Sequence, residues 1–243
     1  MSFYGGFAPY VTVAERRARA EEAIKELRKK GSNISPIIIE GRAMAKKWWG
    51  KSWNKNLESY SDYSNRISRG RSYARHGSVI DLKITKGKVK ALVLGSGHEP
   101  YKVNITIKEL GKESWESIVS ECLGKIQSIE KLLQGQFPEE LEELFVSKRQ
   151  GLFPTPREIE FHCDCPDYAI MCKHVAAVLY GVGARLDNEP SIFFTLRGVN
   201  MDDIISEAVT KETKTMLERS KKKGRRVIED DEIFNMFGID TDE

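Results

Sequence analysis

Three of the chain's four cysteines and one of its four histidines fall within a dozen residues, in Cys163-Asp164-Cys165-Pro166-Asp167-Tyr168-Ala169-Ile170-Met171-Cys172-Lys173-His174. The spacing reads Cys-x-Cys, six residues, Cys-x-His. Three thiolates with one imidazole form the Cys₃His set that tetrahedral structural zinc prefers. On an extended segment, side chains two apart share a face, so Cys163 and Cys165 converge while His162 and Asp164 turn away. His162 therefore loses to His174 as the fourth ligand. Pro166 and Asp167 supply turn chemistry. On a helix, residues two apart diverge, so Cys172 belongs in the turn before a helix and His174 in its first turn. Val175, Val178, Leu179 and Val182 then recur at i, i+3, i+4 and i+7, an amphipathic helix whose apolar stripe needs a core to cover. The reading is a small fold of strand, knuckle, turn and helix nucleated by zinc.

All four ligand positions match the SWIM zinc finger, which this segment resembles. That family's pattern is Cys-x-Cys, a variable spacer, then Cys-x-His, and it implies a ββα fold and DNA-binding or protein-binding roles. Trp48-Trp49-Gly50-Lys51-Ser52-Trp53, Ser68-Arg69-Gly70-Arg71-Ser72-Tyr73-Ala74-Arg75, Gly95-Ser96-Gly97-His98-Glu99-Pro100-Tyr101 and Leu196-Arg197-Gly198-Val199 are similar to stretches of microbial SWIM-finger proteins. The resemblance implies company with Swi/Snf-type helicase ATPases; it supplies no reaction.

The remaining sequence indicates an α+β chain. The stretch from Ala14 to Lys30 is a helix former ending at Gly31, with so few apolar positions that it reads as a solvated arm or one ordered by a partner. Val79–Ile84, Val89–Leu94 and Tyr101–Ile107 alternate as an antiparallel meander, and a helical connector follows from Ser114 to Leu133, with a shorter helix opening at Pro138. A further helical stretch begins near Met201. The expected division is an arm over 1–35, basic helices with meander and connector over 36–150, the finger over 151–190, and a helical tail over 191–243.

Several function classes drop out. The longest aliphatic run, Ile37-Ile38-Ile39, is far short of a membrane span, and the opening residues carry no secretory pattern, so a reducing, cytoplasmic setting is expected. Only Cys122 would remain for a second disulfide, and it sits on a helical apolar face with Trp115, Ile118 and Val119, where it reads as packing. Gly95-x-Gly97 follows a strand but leads toward another strand, whereas a nucleotide fingerprint opens a helix, so it is not a phosphate loop; no small-molecule substrate is expected. Four filled ligand positions leave no open site for catalytic zinc, and no nucleophile and base come together elsewhere. The chain reads as a non-enzymatic interaction module.

Net charge is only +3, but its distribution is uneven. Between Arg42 and Arg75 nine cations face only Glu58 and Asp62, and aromatic residues are interleaved with them. Such a composition suits phosphate contacts with base stacking, and equally a helix pair whose tryptophans fill the core while lysine stems cover the edges. Trp49, Trp53 and Leu57 recur at i, i+4, i+8, which favours the core for those three. Lys47, Lys51 and, in a glycine-bearing turn, Arg69, Arg71 and Arg75 are the candidate contacts to DNA or RNA. A second basic run, Lys221, Lys222, Lys223, Arg225 and Arg226, is either another contact or a charged linker. The finger itself is acidic: Glu158, Glu160, Asp164, Asp167 and Asp187 outnumber Arg157, Lys173 and Arg185. With three thiolates around Zn²⁺ adding a charge of about −1, phosphate is expected elsewhere. Near the end, Ile233, Phe234, Met236 and Phe237 lie between acidic stretches, either as a terminal cap or as a plug for a partner's groove.

Overall fold

Alternating apolar runs build the centre of the molecule, where β1 (Val79–Thr85), β2 (Lys88–Leu94) and β3 (Pro100–Ile107) form the expected meander. The computed structural model describes residues 11–97, 99–125, 139–147 and 151–221. Within it a fourth strand, β4 (Ile159–Cys163), pairs with β3, giving an antiparallel sheet of order β1-β2-β3-β4. The strand carrying the first metal ligand is therefore part of the same sheet as the meander. Together with the helix that follows it, β3 and β4 supply the ββα unit, although some fifty residues separate the two strands in sequence.

Period-two alternation sends Val89, Ala91 and Val93 of β2, Val103, Ile105 and Ile107 of β3, and Ile159 and Phe161 of β4 to one face, where they join the main core. A bulge between Val79 and Asp81 shifts the phase of β1. As a result Val79 and Leu82 face the main core while Ile80 faces the opposite side. There, with Leu94, Ile80 packs against Ala20 of α1 (Val13–Lys29), and Ala23, Ile24 and Leu27 complete the contact. The N-terminal helix is thus not a solvated arm but a docked one. Its few apolar positions are enough because alanines let the helix sit close, and Thr12 and Glu15 form a capping box at its start.

On the main face lie α2 (Trp48–Glu58), α3 (Ser64–Arg75), α6 (Lys173–Leu186) and α7 (Ile192–Arg197); the other α-helices among the described residues are α4 (Lys112–Lys125), α5 (Glu142–Val146) and α8 (Met201–Lys221). The four-residue stripe predicted on α6 understates its role. Every residue from His174 to Gly183 is buried, as is Leu186, so this helix is a central rod rather than an amphipathic cover. Trp53 and Trp49 fill the core and donate their indole N–H groups to the α6 carbonyls of Leu179 (3.0 Å) and Leu186 (2.7 Å). The Arg69-Gly70-Arg71 segment lies within α3 and is not a turn. Gly70 faces Ala176 of α6 so closely that a side chain there would sit 3.0 Å from the Ala177 nitrogen.

The end of α7 is tied to the sheet by Arg197, whose side chain is 2% exposed. Its guanidinium donates to the Lys108 carbonyl at 2.9 Å and to Glu158 at 2.7 Å, just beyond β3 and before β4. Burial pulls the Glu158 carboxyl upward, but hydrogen bonds from Arg197 and Thr155 outweigh it and hold the group below the ordinary range. This contribution is present above the unfolded pKa and is lost as pH falls through the depressed folded one. Gly198 follows in the left-handed region, φ 69°, and closes the helix.

The Gly70 contact sets two effects against each other. Helix propensity alone predicts that Gly70→Ala stabilises α3 by about 1 kcal/mol. Overpacking against a neighbouring backbone costs roughly 1–3 kcal/mol. The obstacle is the α6 main chain and the Cβ of Ala176, not a flexible side-chain end, so the second effect wins. Gly70→Ala is expected to lower the urea midpoint at an unchanged slope; a raised midpoint would show that the two helices separate at little cost.

Candidate metal centre

Two elements bring the ligands together. Cys163 ends β4, opposite Val103 of β3, on the face of the sheet that looks into the core. Cys165 follows after Asp164, whose amide donates to the Lys102 carbonyl and whose carboxylate accepts the Lys102 amide at 2.9 Å. Across the site Cys172 is the N-cap of α6, with φ −66° and ψ 168°, and its sulfur accepts the Val175 N–H at 3.5 Å. His174 lies in the first turn. Both the turn position of Cys172 and the helical position of His174 agree with the sequence reading. His162 pairs with Asn104 on the other face of the sheet and is exposed.

The donor atoms of Cys163, Cys165, Cys172 and His174 all lie within 4.8 Å of one another, and among the described residues no other cluster of this kind is present. A tetrahedral ion with bonds of ~2.3 Å to sulfur and ~2.0–2.1 Å to nitrogen needs these donors to close by at most about 1 Å. Cys172 and His174 are each 1% exposed, while Cys163 and Cys165 are half-buried. The His174 Nδ1 is 3.8 Å from the Cys163 sulfur; its Nε2 is buried without a hydrogen-bond partner. Nδ1 is thus the nitrogen presented to the sulfurs. The ring is aligned by aromatic contact: Tyr101 stacks on it at 4.4 Å and Tyr73 meets it edge-on at 5.5 Å. Gly95 leaves room for this stack, since a Cβ there would be 2.5 Å from Cε2 of the Tyr101 ring.

Proximity already favours a thiolate. The Cys172 thiol is drawn down to about 4, chiefly by its hydrogen bond with Cys163, then by His174 and the Val175 amide against the effect of burial. Cys163 is pushed the other way by the same hydrogen bond and by burial. The helix N-terminus and the amide give the lowered Cys172 an independent physical cause.

The spacer between the ligand pairs is braced from α3 and the loop before it. Asp62 accepts the amides of Ile170 (2.9 Å) and Met171 (3.3 Å). Arg66 pairs with Asp167 at 2.8 Å, both side chains being at most 15% exposed, and Asp167 also accepts the Ala169 amide. Tyr73, Tyr101, Asp62 and Arg66 are parts of the site that ligand spacing does not reveal. Tyr73 and Tyr101 stand in segments carrying the family resemblance, which was their only signal.

Residues 158–182 match the family model of the SWIM zinc finger. The chain carries a SWIM zinc finger. Its Cys₃His cluster binds zinc, and the finger belongs to a family of binding modules. The chain is also similar to the uncharacterized protein Rv2102 of Mycobacterium tuberculosis, 39% identical over 165 residues that cover 68% of this chain and 59% of that protein. The chain therefore spans less than two thirds of that relative's length. No solved structure matches the chain.

The predicted cationic residues are dispersed. Lys47, Lys51 and Arg69 are exposed. Arg71 is committed to Glu58 at 2.6 Å and to the Tyr180 hydroxyl, and Arg75 donates to the Arg42 carbonyl at 2.8 Å. Lys221 ends α8; Lys222, Lys223, Arg225 and Arg226, and the apolar group from Ile233 to Phe237, lie outside the described residues. The side chain of Cys122 does so too.

Because α6 runs from the SWIM finger through the middle of the core, loss of metal should not stay local. Purified protein is expected to hold one zinc per chain by elemental analysis. Cys172→Ser with His174→Ala should abolish it and lower the global melting transition, losing part of the roughly 10–16 kcal/mol that metal supplies to isolated zinc fingers. Undiminished zinc in that double variant would rule out these ligands; an unshifted melt would show that the core holds α6 unaided.

Proposed function

We propose that this chain is a non-enzymatic accessory module that holds nucleic acid through the outer side of α2, with the SWIM finger organising the fold. One observation supports this reading above the others. Lys47, at the N-cap, and Lys51 and Lys55, each four residues on, are all exposed, while Trp49, Trp53 and Leu57 of the same helix are buried. A helix that turns its indoles inward and a row of cations outward offers point charges to a phosphate backbone and no stacking platform. Binding is therefore modest, independent of sequence and sensitive to salt. Arg69 on α3 is a further exposed cation.

The company of Swi/Snf-type ATPases that the resemblance implies suits such a module, since a translocating motor gains grip from an accessory that reads no sequence. Among the described residues no helix is long and apolar enough to cross a membrane. One observation favours a second reading, a protein-recognising adaptor: Tyr168 and Ile170 of the zinc knuckle are 80% and 73% exposed on a braced loop.

Replacing Lys47, Lys51 and Lys55 together by Gln tests the first reading. Duplex affinity is expected to fall by about tenfold or more, and the slope of log affinity against log salt to shrink by about 2 to 3, at roughly 0.9 per phosphate contact. Zinc content and melting should be unchanged. Wild-type protein that binds neither DNA nor RNA at low salt would leave the adaptor as the function.

A further inference from the structure

The register of the sheet assembles a cationic face that no single strand displays. On the side away from the main core, Lys83 stands opposite Lys90, Lys90 opposite Asn104, and Asn104 opposite His162. One row further along, Lys88 stands opposite Thr106; in the other direction Lys102 adjoins Leu92. Side chains opposite each other on a sheet lie ~4.5–5.5 Å apart at Cβ, and those two along a strand about 7 Å apart, so the four lysines share one patch. All four are exposed.

Among the described residues of the four strands, little neutralises them. Lys83 reaches Asp81 at 3.6 Å, but Asp81 is 7% exposed and also holds the Ser35 amide. Lys88, Lys90 and Lys102 make no ion pair among the described residues. Asp164 is occupied by the Lys102 amide, and the exposed carboxylate on this face, Glu160, stands beyond Thr106 at the β4 edge. Like charges directly opposite one another destabilise a sheet, so the Lys83–Lys90 pair works against the fold. An external polyanion reverses that sign.

We propose that this lysine face is a second nucleic-acid contact, separate from the α2 stripe. It rests on the nucleic-acid reading above. A duplex carries one charge per ~1.7 Å of axis, dense enough to meet all four ammonium groups at once. Asn104 and Thr106 between them offer hydrogen bonds to phosphate or sugar. Apart from the His162 imidazole on β4, these strands put no aromatic ring on this face, so it holds mainly backbone. Since α2 reaches the sheet through α6, the sheet and that helix separate the two surfaces, and each engages a different segment of nucleic acid.

The test uses a fluorescein-labelled 20-base-pair DNA duplex, with anisotropy read across a salt series. Lys83→Gln, Lys88→Gln and Lys90→Gln together are expected to weaken binding by about tenfold and reduce the salt slope by about 2 to 3, with zinc and melting retained. The same three positions changed to Arg should restore binding, which a merely structural loss would not. Added to the α2 variant, the Gln substitutions should abolish the remaining affinity. If the sheet variant binds like wild type while the α2 variant loses affinity, the lysine face is no contact and the α2 reading stands. If wild type itself does not bind, both fall.

Discussion

The fold depends on giving the N-terminus of α6 an anion. A helix leaves its first N–H groups without partners inside it and carries about half a positive charge there, and α6 begins inside the protein, where water cannot satisfy either. Cys172 answers both needs, with its sulfur accepting the Val175 amide and its charge facing the dipole. A zinc centre of three thiolates carries a net charge of about −1, so the metal site and the helix end suit each other electrostatically. The motif is small, but the helix it starts is the one around which α2, α3, α7 and the sheet are packed.

Metal and packing are therefore one system. Cys163 holds the edge strand, Cys172 and His174 hold the central helix, and α3 reaches the site from two directions, through Tyr73 against the imidazole and through Arg66 on the spacer. The acidic residues that give the finger its negative character in sequence are employed inside it: Asp167 pairs with Arg66, Glu158 with Arg197, and Asp187 accepts the Lys46 and Lys47 amides at the start of α2. Fixed in this way, the two lysine surfaces sit on a rigid body.

What was legible in the sequence followed from local rules. Ligand spacing with strand and helix geometry placed all four zinc donors and set His162 aside; alternation gave three strands; the i, i+4 indoles went to the core. What failed needed partners distant in the chain. Gly70 looked like turn punctuation between two arginines, and only the approach of α6 shows that it is there to be small. The poor apolar content of α1 hid a docking made with alanine. The alternating lysines of β1 and β2 were visible as the polar side of each strand, but their meeting across the sheet depends on register, which the sequence does not print.

The uneven burial of the four ligands gives the centre a front and a back. Cys172 and His174 are sealed under the helix and the two tyrosines, whereas Cys163 and Cys165 keep part of their surface in solvent. An oxidant or alkylating reagent that reaches the centre meets Cys163 and Cys165 before Cys172. Attack on the metal centre thus begins with the two ligands at the sheet's edge and reaches the buried pair last.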